Sequence, residues 1–288
     1  MKICGFSFIR NAVSQDYPIV EAVTSILPIC DSFVIAVGRS EDDTLGRVRS
    51  IGSDKLRIIE TVWDDSLRKG GAVLAAETDK AFDAIDPDAD WAFYIQGDEV
   101  VHEDDLPRIR TAMETHLHDR HVDGLLFRYR HFYGSYEHVG ASNKWYGHEI
   151  RVVRNDPSIR SYRDAQGFRK RDGGKLRVKP VDAWIHHYGW VREPAAMRRK
   201  LDTFGRIYRD EGPSDPSYAR EDFRYEDHIT RLERFTGTHP AVMRDRISRL
   251  NWDFDCDISF SRKRMKDRAK DLLRRIGIDT NYRNYRIV

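Results

Sequence analysis

Along the first hundred residues, short apolar runs alternate with segments whose apolar positions recur every three or four residues. Lys2–Ile9 is apolar enough to read as a strand. Pro18 then opens a helix that carries Ile19, Val20, Val23, Ile26 and Leu27 on one side, and Pro28 ends it. Ser32–Val37 reads as a second strand, Thr44–Ile51 as a short helix and Leu56–Thr61 as a third strand. Gly71–Ile85 has the period of a longer helix, and Trp91–Ile95 that of a fourth strand. This βαβαβαβ order predicts a parallel sheet. Right-handed crossovers would line up the loops after the strands along one carboxyl edge, where open α/β sheets bind ligands.

Beyond residue 100 the pattern changes. A helix is expected near Glu103–Leu117, and strands at Val122–Tyr133, Glu149–Arg154 and Leu176–His187, joined by polar and Gly-rich connections. The sheet should therefore be mixed, with helices on both faces. From Pro194 onward only helical patterns and an Asp/Pro/Ser loop at Gly212–Ser217 are visible. The expected division is a sheet domain over 1–192 and a helical C-terminal extension over 193–288 that packs on it.

Composition agrees with a globular chain: 288 residues, 40% hydrophobic and 33% charged, exclude intrinsic disorder. The net charge of +2 is unevenly spread, because residues 1–100 hold 10 Lys+Arg against 18 Asp+Glu and residues 101–288 hold 39 against 29. The later part favours anionic partners. Cys4, Cys30 and Cys256 are too scattered for a disulfide framework or a structural zinc. No apolar run approaches the roughly 20 residues that span a bilayer, and the first residues lack a signal-peptide pattern, so a soluble cytoplasmic protein is expected.

The fourth strand runs into Gln96-Gly97-Asp98-Glu99, which sets two carboxylates at a strand's carboxyl end. Hard oxygen ligands there suit Mg²⁺ or Mn²⁺ bridging a diphosphate. The competing reading is that acidic residues simply precede the helix near Glu103. Four segments in this order resemble bacterial family 2 glycosyltransferases of the GT-A fold, over roughly the first 190 residues. They are Phe6-Ser7-Phe8-Ile9-Arg10-Asn11, the stretch Val34 to Thr44, Tyr94-Ile95-Gln96-Gly97-Asp98-Glu99 in the place of the DxD motif, and His186-His187-Tyr188-Gly189-Trp190-Val191-Arg192. Two positions depart from that pattern: Gln96 stands for the first Asp of the motif, and Gly38 for an Asp that contacts the base.

The resemblance implies a Rossmann-like GT-A domain that moves a sugar from a nucleotide-diphosphate sugar to a saccharide, lipid-linked or other hydroxyl acceptor, with a metal and with inversion. It implies metal ligation by Asp98, by Glu99 and by one of His186 and His187, of which His187 is favoured. Gln96 can accept a hydrogen bond from a ribose hydroxyl. The loops after strands one to three offer Arg10, Asn11, Gly38 and Asp42 for base or diphosphate. Trp63 is there to wall the nucleotide, and Lys69-Gly70 to attract phosphate at a helix start. Ordinary turns and core packing explain the same residues without a ligand. Inversion needs a base opposite the leaving group, and Asp164, in Ser161–Arg169, occupies a position that resembles the family's base. Arg163 and Arg169 would keep it ionised, or the segment is a surface ion-pair loop.

Other classes fit less well. GxGxxG, GxxxxGK[ST] and a Gly-rich loop after strand one are all missing, which disfavours a dinucleotide oxidoreductase, a P-loop NTPase and a sugar nucleotidyltransferase. A non-catalytic nucleotide- or nucleic-acid-binding module would use Phe127–Tyr133, although period-two alternation explains that segment as a strand; no nucleic acid is expected. In the tail, Met265, Ala269, Leu272, Leu273 and Ile276 form an apolar stripe flanked by basic residues. It either packs on the extension or makes weak peripheral contact with the inner face of an anionic membrane.

Overall fold

A computed structural model describes residues 1–64, 66–67, 69–142, 145–208, 223–229, 231–254, 256–259 and 283–288. The basic tail segment at 262–276 lies outside the described residues. The N-terminal half is built from β1 (Ile3–Ile9), α1 (Ile19–Ile26), β2 (Ser32–Gly38), α2 (Thr44–Arg49), β3 (Leu56–Thr61), α3 (Ala72–Asp83), β4 (Trp91–Tyr94), β5 (Glu99–Val101) and α4 (Leu106–Thr115). The strands β3, β2, β1 and β4 lie side by side and parallel, with Phe6 of β1 opposite Val34 of β2 and Tyr94 of β4.

The second half makes the sheet mixed. It contributes β6 (Gly124–Tyr133), β7 (Ser135–Gly140), β8 (His148–Arg154), β9 (Ile159–Tyr162), β10 (Gly167–Lys170) and β11 (Leu176–Trp190). It continues with α5 (Pro194–Tyr208), β12 (Leu232–Arg234), α6 (Arg244–Ser248) and β13 (Tyr285–Ile287). β8 adds antiparallel to β4, β6 antiparallel to β8, and β11 runs parallel to β6 and antiparallel to β5.

Strand alternation divides the core. Ile3, Phe33, Ile35, Trp91 and Phe93 face α1 and α4 on one side, while Cys4, Phe6, Val34, Ala36 and Tyr94 face α3 on the other. Both faces are covered, so these parallel strands read as continuous apolar runs. Each fully buried Ile or Phe stabilises the fold by about 1.5–3 kcal/mol.

Several elements depart from the expectation. The three-residue strands β5, β12 and β13 are too short to show a period, and β12 and β13 extend the sheet at β7 and β11, so the segment after Pro194 is not purely helical. The β9–β10 hairpin was expected as a polar connection, because Arg160, Arg169 and Lys170 hide its alternation. No described helix is long and apolar enough to cross a membrane.

Candidate active site

The carboxyl ends of β1, β3 and β4, the loop after β2, the β9–β10 turn, β11 and α5 surround a cleft of about 910 Å³. Seven of the residues singled out from the sequence line it: Arg10, Asn11, Trp63, Gln96, Asp98, Asp164 and His187. Asn11 has a left-handed backbone (φ 54) and ties two loops together, since its Oδ1 accepts from the Glu41 amide at 3.0 Å and its own amide donates to Ser40 Oγ at 3.0 Å. The Arg10 guanidinium lies 5.4 Å from the Trp63 ring centre, a cation–π pair on the cleft wall. Trp63 takes this place because residue 38 is glycine: a Cβ there would stand 2.3 Å from the indole Nε1. That Nε1 is buried without a hydrogen-bond partner.

Asp98 is the electrostatic centre of the cleft. Its Oδ2 accepts from Lys200 Nζ at 3.1 Å and from Arg192 Nη2 at 3.3 Å, and its Oδ1 lies 3.8 Å from His187 Nε2. Burial penalises its charge, but the cations Lys200 and Arg192 outweigh that and hold the carboxyl well below the usual carboxylate range. Burial, reinforced by Arg192, also lowers the Lys200 ammonium to about 8.

A histidine relay decides what His187 offers to the cleft. His131 Nε2 lies 2.9 Å from the Tyr146 carbonyl oxygen, which can only accept, so Nε2 carries the proton and Nδ1 a lone pair. His187 Nδ1 sits 3.0 Å from that lone pair and must be its donor. The bonding pattern thereby assigns the tautomers, and His187 Nε2 is left unprotonated beside Asp98 Oδ1. Burial keeps both rings neutral near pH 7, lowering His131 to about 4 and His187 well below its ordinary value. His186 points away: it stacks on Phe132 and approaches Arg130 at 3.3 Å.

The residues present fit a divalent cation held by two protein atoms. Two lone-pair atoms face one another with no proton between them, and Gly189 keeps the space beside them open, because a Cβ there would lie 2.6 Å from His187 Nε2 and 2.8 Å from Asp98 Oδ2. Among the described residues no three His, Cys, Asp or Glu side chains converge, so further ligands would come from substrate and water.

Other expected site residues are engaged elsewhere. Glu99, expected as a metal ligand, is turned to the interior: both of its oxygens pair with Arg151 at 2.7 and 2.8 Å, Tyr129 donates to it at 2.7 Å, and it is fully buried outside the cleft lining. Successive side chains diverge after β4, so Asp98 meets the cleft and Glu99 the interior. Asp42 does not line the cleft either; it accepts from the amides of Ser14 at 2.7 Å and Thr44 at 3.0 Å, bracing the loops after β1 and β2. Gly38 acts through Trp63, and Gly70 forms an exposed left-handed turn (φ 64) ahead of α3. The side chain of Lys69 lies outside what is described.

Gln96 donates from Nε2 to the Ala165 carbonyl at 3.0 Å, which fastens the β9–β10 turn carrying Asp164 to the end of β4. Phe127, Phe132 and Tyr133 are core residues, and Arg128 pairs with Asp182 at 3.0 Å, so that strand offers no stacking platform for bases. Sequence reading missed His131, Arg151 and Lys200. Arg192 ends the His186–Arg192 segment and was the only one of the cationic partners with a signal.

No family model matches the chain, and no curated protein is similar to it at a significant level. Among solved structures it resembles residues 1–349 of S. aureus TarS, with 12% identity over 71% of this chain and 64% of that one and a TM-score of 0.41. It also resembles glucosyl-3-phosphoglycerate synthase from Mycobacterium tuberculosis, solved with Mn²⁺, UDP and glucosyl-3-phosphoglycerate, at 18% identity over 46% of this chain and 45% of that one, with a TM-score of 0.31. A third similar structure is 4-diphosphocytidyl-2C-methyl-D-erythritol synthase from Anaerococcus prevotii, at 10% identity over 68% of this chain and 95% of that one, with a TM-score of 0.39. The chain thus matches less than two thirds of the TarS and glucosyl-3-phosphoglycerate synthase chains.

Proposed function

We propose that this protein is a GT-A-type glycosyltransferase, moving a sugar from a nucleotide-diphosphate sugar to an acceptor hydroxyl with inversion. The observation that supports the reading best is the meeting, in one cleft at the carboxyl edge of the sheet, of the Arg10–Trp63 pair, the Asp98–His187 pair and Asp164. Trp63 and Arg10 are suited to hold base and diphosphate, and Asn11 keeps that wall in place. Asp98 Oδ1 and His187 Nε2 would hold Mn²⁺ or Mg²⁺, which when bound supplies positive charge for the departing diphosphate. Asp164 accepts the acceptor's proton as that oxygen bonds to the anomeric carbon and the bond from carbon to diphosphate oxygen breaks. The acceptor is a saccharide, a lipid-linked sugar or another hydroxyl compound, and the basic segment at 262–276 would bring the enzyme to an anionic membrane face.

A thermal-shift panel of UDP, GDP, CDP and ADP with and without Mn²⁺ tests this reading, because a ligand that binds only the folded state raises its stability. One base is expected to stand out, with Mn²⁺ enhancing its effect in the wild type and not in Asp98→Asn. No stabilisation by any diphosphate overturns the proposal.

A further inference from the structure

Asp164 sits in the four-residue turn between β9 and β10, flanked by two residues that carry a Cβ in the left-handed region: Arg163 at φ 58 and Ala165 at φ 61. Such backbone is costly for residues other than glycine and persists where its surroundings fix it. Two neighbouring strands do so here. Arg151 Nη1, on β8, donates to the Gln166 carbonyl at 2.9 Å, and Gln96 Nε2, just beyond β4, donates to the Ala165 carbonyl at 3.0 Å. The second neighbour of that amide nitrogen is the Tyr94 hydroxyl at 3.4 Å. Thr78 Oγ1 gives its own proton to the Leu74 carbonyl at 2.8 Å, so Tyr94 donates to Thr78 at 3.2 Å and turns a lone pair to Gln96. The side chain at position 96 therefore meets two acceptors, which a primary amide satisfies with its two hydrogens and a carboxylate does not.

We propose that Gln96 is a positioning residue for Asp164, so that the segment after β4 serves both sides of the reaction: Asp98 faces the diphosphate, and Gln96 holds the base in place. Glutamine rather than aspartate stands at this position because a carboxylate would face the Ala165 carbonyl. Glu99 serves the same end less directly. Its oxygens hold Arg151, whose Nη1 reaches the Gln166 carbonyl, and its Oε2 also accepts from the Gln96 amide at 3.1 Å. The role of Gln96 in transfer rests on the glycosyltransferase reading, in which Asp164 is the base; the fastening of the turn does not.

Hydrogen exchange and turnover of Gln96→Glu, taken together, test it. Amide exchange over residues 160–170 should quicken about tenfold in the variant, the scale of one buried hydrogen bond left unmade, while the rest of the sheet exchanges as in wild type. Turnover is read as nucleoside diphosphate released in Mn²⁺ from UDP-glucose, UDP-N-acetylglucosamine, GDP-mannose and ADP-glucose, with water in the acceptor's place. For the donor that wild type cleaves, it should fall about 10–100-fold with affinity for the nucleoside diphosphate unchanged. In an Asp164→Asn background the same substitution should cost almost nothing further, because the group that Gln96 places is already gone. If Gln96→Glu does not fold, Gln96→Met is read in the same way. Unchanged exchange over 160–170, an equal loss in the Asp164→Asn background, or a loss confined to diphosphate affinity overturns the positioning role alone. Wild type that cleaves none of the donors overturns that role too, and wild type that also binds no nucleoside diphosphate overturns the glycosyltransferase reading as well.

Discussion

Replacing Glu149 by glutamine should stabilise the protein in alkaline solution and leave it nearly unchanged in acid. Glu149 lies on β8, only 3% exposed, with Oε1 accepting from Gln166 Nε2 at 2.7 Å and Oε2 buried without a partner. Burial pushes its carboxyl up from 4.5 to about 7, and the nearby Arg151 opposes this only in part. Between those two values the folded protein binds more protons than the unfolded chain, so stability falls as pH rises from 4.5, and the penalty is complete above about 7. A rise of that size corresponds to about 3 kcal/mol. Glutamine keeps the shape and the bond to Gln166 without ionising. At about pH 8.5 the variant should therefore be more stable than wild type by up to about 3 kcal/mol, which for a chain of this size is roughly 6–12 °C in melting temperature. The gap should close towards about pH 4.5. Calorimetric melting of both proteins across this range measures it, and a gap that is constant, or that widens in acid, refutes the claim that the fold keeps Glu149 protonated.

Arg151→Met should destabilise the protein by about 3–5 kcal/mol in urea unfolding, because it strands the fully buried Glu99 carboxylate without its cation; a loss below about 1 kcal/mol contradicts the structural role assigned to that pair. His131→Phe removes the acceptor that sets the His187 tautomer, and Mn²⁺ affinity in the presence of a nucleoside diphosphate should drop about 10–100-fold by calorimetry, whereas unchanged affinity would remove the relay from the metal site. Asp164→Asn should leave donor binding intact and slow sugar transfer by about 10²-fold, and equal turnover by variant and wild type would place the base on another residue.

What the chain reveals by itself is what short-range spacing controls. β1 to β4 are legible because strands covered on both faces must be apolar throughout, and the helices between them show one apolar stripe each. The carboxyl edge follows from that order, and with it the candidacy of Arg10, Trp63 and Asp98. Spacing does not show which of two adjacent polar residues meets the cleft. Asp98 and Glu99 are neighbours, and the assignment between them is made by Arg151, which lies on another strand and claims both Glu99 oxygens. His186 and His187 are likewise told apart by His131 on β6 and by Arg130 beside it. Lys200 has no local mark at all: in sequence it is one basic residue on a basic helix, and it becomes part of the site only because α5 docks against the loop after β1. Secondary structure is written locally because it depends on neighbours a few residues apart. The state of a buried charge depends on its partner, and partners are brought together only when the chain closes on itself.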